Sequence, residues 1–246
     1  MPAPLVSVII ACRNPGPKLP GAVASIRRQS GADIETVIVD GASTDGTREW
    51  LQSESSRLGA WLSEPDAGVY DAMNKGAALA QGAWLLFLGV DDQLVDGALA
   101  AAAPHLSVST GGILAGEARY ADGRTYRGSA RPGVIRRNFL HHQACFYHRS
   151  IFAHQRYDQS FPIQADYEFN LRLWHAGIRP TPLAVRIAVC GTGGLSDGGS
   201  WANYRDEIRV RHRHFPAWQC WLWDLGSVAR YCRKNLVRSF AKKRPE

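Results

Sequence analysis

Paired cysteines are missing from this sequence. Its five cysteines, Cys12, Cys145, Cys190, Cys220 and Cys232, are odd in number, scattered, and never spaced C-x-x-C. That pattern argues against a zinc cluster or a disulfide framework and fits reduced thiols. Long apolar runs are missing as well. The longest, Ala83 to Val90, has the length of a buried strand, far short of the ~18 residues that span a bilayer. No basic segment precedes the first apolar run, so Met-Pro-Ala-Pro-Leu does not read as a signal peptide, and the expected location is the cytoplasm. The hydrophobic fraction of 45% and charged fraction of 21% exclude wholesale disorder. A chain of 246 residues buries one substantial core. Its net charge of +7 is uneven: residues 205–246 hold eleven Lys/Arg against four Asp/Glu, whereas residues 1–204 hold eighteen of each. The basic excess therefore belongs to the tail.

The first hundred residues alternate strand and helix signals. Leu5–Ala11 is a β-branched run entering the loop Arg13-Asn14-Pro15-Gly16, and Leu19 to Gln29 has apolar residues at helical spacing. Thr36–Asp40 is a second strand, after which Thr44 is placed to cap a helix through Leu51. Ala60–Ser63 is a short strand, Asp71 to Gln81 a helix, and Ala83–Gly89 a further strand. Such repeated units imply right-handed crossovers and an α/β fold, its sheet mainly parallel with helices on both faces. Ligand sites of such sheets gather at the carboxyl ends of the strands. Arg13-Asn14, Asp40 and Asp91-Asp92 all fall there.

After residue 104 the spacing predicts shorter strands at Ile113-Leu114, Ala118–Tyr126, Ala144–Tyr147 and Val185–Val189, with a helix from about Asp166 to His175. Two units are expected: a main domain over 1–204 and a basic, Trp-rich helical extension over 205–246. Trp218, Trp221, Leu222, Leu225, Val228, Cys232, Leu236 and Phe240 share one face of that extension.

Three motifs carry a resemblance. Val39-Asp40-Gly41-Ala-Ser43-Thr44-Asp45-Gly46-Thr47, Asp66-x-Gly68-x-Tyr70-Asp71-x-Met73-Asn74-Lys75-Gly76 and Phe87-Leu-Gly-Val-Asp91-Asp92 resemble, in order and spacing, the family 2 glycosyltransferases. The resemblance covers residues 5 to about 200. It implies a GT-A fold, with a Rossmann-like sheet that binds a nucleotide-sugar. It also implies inverting transfer of the sugar to an acceptor hydroxyl, in exopolysaccharide, capsule or other cell-envelope glycan synthesis. The acceptor would be a sugar or a lipid-linked sugar.

By the same resemblance Asp92 ligates Mg²⁺ or Mn²⁺, with Asp91 beside it near the ribose. Hard cations on carboxylate oxygens offset the charge of a departing diphosphate. The usual family form has another acid two residues before Asp91, where Gly89 stands here. Asp40 would accept the imide N–H of uracil or thymine, favouring a UDP- or dTDP-sugar over a GDP-sugar. An Asx-turn at the strand's end is its plainer reading. Ala11 and Arg13 match the segment that lies against base and ribose. Asp66, Asn74 and Lys75 match residues that line the donor pocket, although Lys75 also suits a solvated helix face. Tyr70 and Met73 read as packing residues.

Inverting displacement needs a carboxylate to take the acceptor's proton. Gln164-Ala165-Asp166-Tyr167-Glu168 stands where the family carries its acidic pair, with Asp166 the candidate base and, equally, a candidate helix N-cap. Glu168, two residues on, points elsewhere on a helix. His141, His142 and His148 flank a strand candidate, Gln143 to Tyr147; the His141-His142 pair reads either as metal ligands or, since adjacent strand residues face opposite ways, as one buried and one exposed histidine. The glycine-rich loop Gly193-Gly194-Leu195-Ser196 offers N–H groups to a diphosphate. The tail suits either packing on the domain or peripheral contact with an anionic membrane.

Two other classes compete. A nucleotidyltransferase acting on sugar phosphates would use a similar sheet, but the first loop lacks its glycine density. A non-enzymatic protein binding nucleic acid or a membrane would explain the tail. It leaves the acidic cluster at the sheet edge unexplained, so no nucleic acid is expected.

Overall fold

The computed structural model describes residues 4–128, 135–191 and 200–241, with side chains through 234. Nine strands form one sheet: β1 (Val6–Cys12), β2 (Ile34–Asp40), β3 (Ala60–Ser63), β4 (Trp84–Leu88), β5 (Gln93–Leu94), β6 (Ile113–Tyr120), β7 (Thr125–Arg127), β8 (Cys145–His148) and β9 (Pro180–Cys190). Their spatial order is β3-β2-β1-β4-β8-β6-β9-β5, with β7 paired on β6. The pairings are parallel from β3 through β4. They turn antiparallel where β8 joins β4 and β6, and β6 returns to parallel pairing with β9.

Period-two alternation in β1 explains why helices cover both faces. Val6, Val8 and Ile10 enter one core with Leu19, Val23 and Ile26 of α1 (Lys18–Arg27) and Leu99 and Leu106 of α4 (Ala98–Val108). Ile9 enters the other, against Tyr70, Met73 and Ala77 of α3 (Val69–Leu79) and Phe169 of α6 (Ala165–His175). Gly76 allows that second contact, because a Cβ there would lie 2.4 Å from Ile9 Cγ2. The remaining helices are α2 (Thr47–Glu54), α5 (Arg149–His154), α7 (Trp201–His214) and α8 (Ala217–Ala241).

Several expectations change. Thr44 does not cap α2. Its N–H is taken by Asn14 Oδ1 at 2.8 Å, and the helix starts after Gly46, with Asp45 accepting from the Thr47 N–H at 3.2 Å and hydroxyl at 2.6 Å. Ala118–Tyr126 is a hairpin rather than one strand. Gly123 takes φ +90 and Asp122 receives the Arg124 N–H, turning the chain between β6 and β7. Residues 142–144 form a 3-10 turn leading into β8, so His141 and His142 do not alternate across a strand. Position 204/205 lies inside α7, whose Asp206 carboxylate holds the chain entering α6 by accepting from the N–H groups of Ile163 and Gln164, both at 3.0 Å. The loop Gly193–Ser196, the end cations Lys242, Lys243 and Arg244, and the side chains of Leu236, Arg238 and Phe240 lie outside the described residues.

Candidate active site

The carboxyl ends of β1 and β4 open into a cavity of about 600 Å³, a size that suits a cofactor-sized ligand. Ala11, Cys12 and Arg13 line it from β1, Gly89 to Asp92 from the end of β4, and Asp166 from α6. The far wall is Asn138, His141, His142 and Gln143, with Tyr120 and Tyr126 from the hairpin and Asn203 and Glu207 from α7. The cavity therefore joins residues that the sequence separates by more than a hundred positions.

Asp166 sits at the start of α6, where carboxylates favour the helix dipole, and is buried at 6% exposure. Four donors fill its oxygens. Tyr70 Oη, at 3.0 Å, and the Tyr167 N–H, at 2.9 Å, donate to Oδ1. Asn138 Nδ2, at 2.7 Å, and His142 Nδ1, at 3.1 Å, reach Oδ2. Burial alone would push the carboxyl up, but the bonds and charge from His142, Asn138 and Tyr70 outweigh it and hold Asp166 below the usual carboxylate range. Glu168 turns away to Arg172 at 2.9 Å and His214 at 3.1 Å.

Asp92 is 3% exposed, with Oδ2 accepting from the Gly89 N–H at 3.1 Å and Oδ1 from the Gly191 N–H at 2.9 Å. Burial raises its carboxyl, the Gly191 N–H opposes that, and the neighbouring Asp91 charge adds to the rise. Asp91 is half-exposed. Among the described residues no group of three or more His, Cys, Asp or Glu is placed to hold a metal. The donor set nonetheless fits a hard divalent ion. Two adjoining carboxylates border one cavity, and such ions are commonly completed by phosphate oxygens and water.

Asp40 is brought to the same sheet edge but not to the cavity surface. It is fully buried, receiving the Ser43 N–H at 3.1 Å, the Ser63 hydroxyl at 2.7 Å and the Ser43 hydroxyl. Its oxygens order the loop after β2. That loop is tied to the one after β1: the Asn14 N–H donates to Ser43 Oγ at 2.7 Å and the Gly16 N–H to Asp45 at 2.8 Å. Two non-glycine residues, Asn14 (φ 48) and Ala42 (φ 55), adopt left-handed backbone within this junction, at a cost of about 1–2 kcal/mol each that these ties offset. Asp66 lies directly over Gly41, where a Cβ would be 2.2 Å from Asp66 Oδ2.

Asn74 and Lys75 are not brought to the cavity. Asn74 is buried and clamps the backbone of Tyr157, donating to its carbonyl and accepting from its N–H, both at 2.9 Å. Lys75 pairs with Glu64 at 2.8 Å and Asp71 at 3.2 Å and donates to Pro65 O at 3.0 Å. Tyr70 packs in the second core as expected and also donates to Asp166, His142 reaches the same carboxylate, and Asn138, not singled out from sequence, joins them. Their signal is non-local: each reaches Asp166 only once the sheet has folded. His141 bonds Tyr120 Oη through Nε2 at 2.6 Å. Burial, aided by His142, lowers His141 to about 4, so it is neutral near pH 7.

The family model described as Glycosyl transferase family 2 matches residues 7–162. A Mycobacterium bovis protein named PGL/p-HBAD biosynthesis glycosyltransferase is 37% identical over 184 residues, covering 70% of each chain. Among solved structures, S. aureus TarS 1-349 in complex with UDP aligns with a TM-score of 0.66 at 16% identity, over 98% of this chain and 75% of that one. The mannosyltransferase PcManGT from Pyrobaculum calidifontis, in complex with GDP-Man and Mn²⁺, gives 0.65 at 19% identity over 93% and 70%. At those identities the two structures establish the GT-A fold alone.

Proposed function

The chain belongs to glycosyl transferase family 2, and on that premise we propose that it moves a sugar, with inversion, from a nucleoside-diphosphate-sugar onto an acceptor hydroxyl. The observation that carries this reading is the single cavity that joins Asp91, Asp92 and Asp166 with Ala11 and Arg13. An acidic pair and a separately held carboxylate are what a diphosphate leaving group and an incoming hydroxyl require.

Ala11 and Arg13 flank the nucleotide at the end of β1, with the Arg13 guanidinium exposed toward the cavity. Asp40, through Ser43 and Ser63, fixes the loop against which the base lies, with Asp66 packed on the same loop over Gly41. Asp91 and Asp92 would hold Mg²⁺ or Mn²⁺, which supplies positive charge to the departing diphosphate. The relatives' UDP and GDP-Man complexes support the donor class, and the mycobacterial name supports a cell-envelope glycan with a sugar or lipid-linked acceptor. Asp166 takes the acceptor's proton. Its four donors occupy about as many lone-pair sites as a carboxylate has, so the hydroxyl replaces one of those lining the cavity: Tyr70, Asn138 or His142. The others keep the carboxylate aimed.

The test is a screen of UDP-, dTDP- and GDP-sugars for release of nucleoside diphosphate, with the anomeric configuration of any product read by NMR. Retention at the anomeric carbon would sink the direct-displacement reading. Absence of turnover and of binding to every donor, with Mn²⁺ present, would sink the donor assignment.

A further inference from the structure

The helix α8 leaves a large apolar face uncovered. Its side toward the protein packs Cys220, Trp223 and Tyr231 beside a buried polar cluster. Arg211 of α7, 1% exposed, donates to Asp224 at 2.6 Å, to Ser227 at 2.9 Å and to Glu207 at 2.5 Å. Arg230 of α8 also meets Glu207, at 2.8 Å. Its side toward solvent is apolar: Trp218, Trp221, Leu222 and Leu225 are 64–70% exposed, and Val228 is 42%. At 3.6 residues per turn these five fall within about 120° of the helix's circumference, one continuous stripe. The other exposed large apolar residues, Leu79, Val108, Val189 and Trp201, lie on other elements.

A stripe of this kind marks a surface that is covered in use. Two observations choose the cover. Tryptophan, whose indole has an apolar body and a polar N–H, favours the level of lipid headgroups. The stripe also lies in the segment holding the chain's entire basic excess, and the exposed Arg205 and Arg233 make no ion pair among the described residues. Among the described residues no helix is long and apolar enough to cross a membrane, so the contact is one of lying in the interface.

We propose that α8 docks its Trp218–Trp221–Leu222–Leu225–Val228 face on an anionic lipid bilayer. The partner helix α7 supplies Asn203 and Glu207 to the cavity wall, so docking holds that wall beside the membrane surface. The attraction is independent of the reaction assigned above.

The full chain is sedimented with vesicles of phosphatidylcholine alone, and with phosphatidylcholine mixed equally with phosphatidylglycerol. Wild type should bind the mixed vesicles, lose binding as salt is raised, and bind neutral vesicles far less. The variant carrying Trp221→Glu and Leu225→Glu should bind about tenfold less or weaker still, with an unchanged far-UV circular dichroism spectrum. Both positions are exposed and outside the cavity, so nucleotide-sugar turnover with a water-soluble acceptor should be unchanged. That readout separates a failure of docking from a failure of the transferase reading. Equal binding by wild type and variant, or no binding by either, overturns the proposal. So does a wild-type dimer that the variant dissociates, which would make the stripe a subunit interface.

Discussion

His142 Nδ1 lies 3.1 Å from Asp166 Oδ2. Because an ionised carboxylate only accepts, the proton in that bond sits on the imidazole Nδ1. The bond has an electrostatic consequence as well as an orienting one. It heads the group of contacts, ahead of Asn138 and Tyr70, that bring Asp166 below the usual carboxylate range against the opposing effect of burial.

Replacing His142 with Ala should therefore raise the pKa of Asp166. A base must be deprotonated to act, so the acid limb of the kcat/KM profile should move to higher pH, with the donor KM little changed. A pH–rate profile of the two proteins checks this. An acid limb that stays in place would mean that another group takes the proton.

Asp166→Asn should lower kcat by about 10²–10⁴ while nucleoside diphosphate binding, measured by calorimetry, is retained. The same carboxylate affects folding. Since its folded pKa lies below the unfolded value, its contribution to stability is complete above the unfolded pKa and is lost as pH falls through the folded one. Wild type should lose stability over that acid window more steeply than the Asn variant, as denaturant unfolding at stepped pH would reveal. Equal slopes would leave Asp166 without the donor-rich environment described.

The parts of this site that sequence made legible were those at strand ends. The apolar run Val6–Ile10 forces Arg13 to the sheet's carboxyl edge, and the run Trp84–Leu88 does the same for Asp91 and Asp92. Periodicity alone carries that information. Tyr70, Asn138 and His142 converge on Asp166 through tertiary packing, and a residue's neighbours across the fold leave no local mark. Asn74 shows the opposite limit. Its motif position pointed to the donor, but its amide matches a peptide unit and is used to hold Tyr157.

That clamp gives a third prediction. Asn74→Ala strands the N–H and carbonyl of Tyr157 beside a small void, at a cost of ~1–3 kcal/mol. Chemical denaturation should record the loss while the donor's KM stays within about twofold of wild type, well under the 1.4 kcal/mol of a tenfold change. A large rise in KM with unchanged stability would return Asn74 to the donor pocket.

Asp92→Ala should abolish whatever part of donor binding depends on Mn²⁺, since Asp92 is one of the two cavity-lining carboxylates proposed to hold the ion. Calorimetry of UDP binding with and without Mn²⁺ would show two similar isotherms for the variant and two different ones for wild type. Undiminished metal dependence in the variant would assign the ion to other ligands.

The final prediction concerns Gly89, which stands where the family's usual pattern has an acid. A Cβ at this position would lie 2.5 Å from Asp92 Oδ2 and 3.3 Å from Asp91 Oδ1. The glycine is thus what lets Asp92 fold back to receive the Gly89 N–H at 3.1 Å. Putting the acid back, Gly89→Asp, would force the Asp92 carboxylate aside and set a third negative charge against two others. Without a metal the variant should be less stable than wild type by ~1–3 kcal/mol, the cost of overpacking and like-charge contact. Adding Mn²⁺ should recover part of that loss, because a divalent ion compensates the added carboxylate more than it helps wild type. Thermal unfolding of both proteins with and without Mn²⁺ measures this. If the variant is as stable as wild type without metal, Asp92 is not held where the Gly89 contact places it.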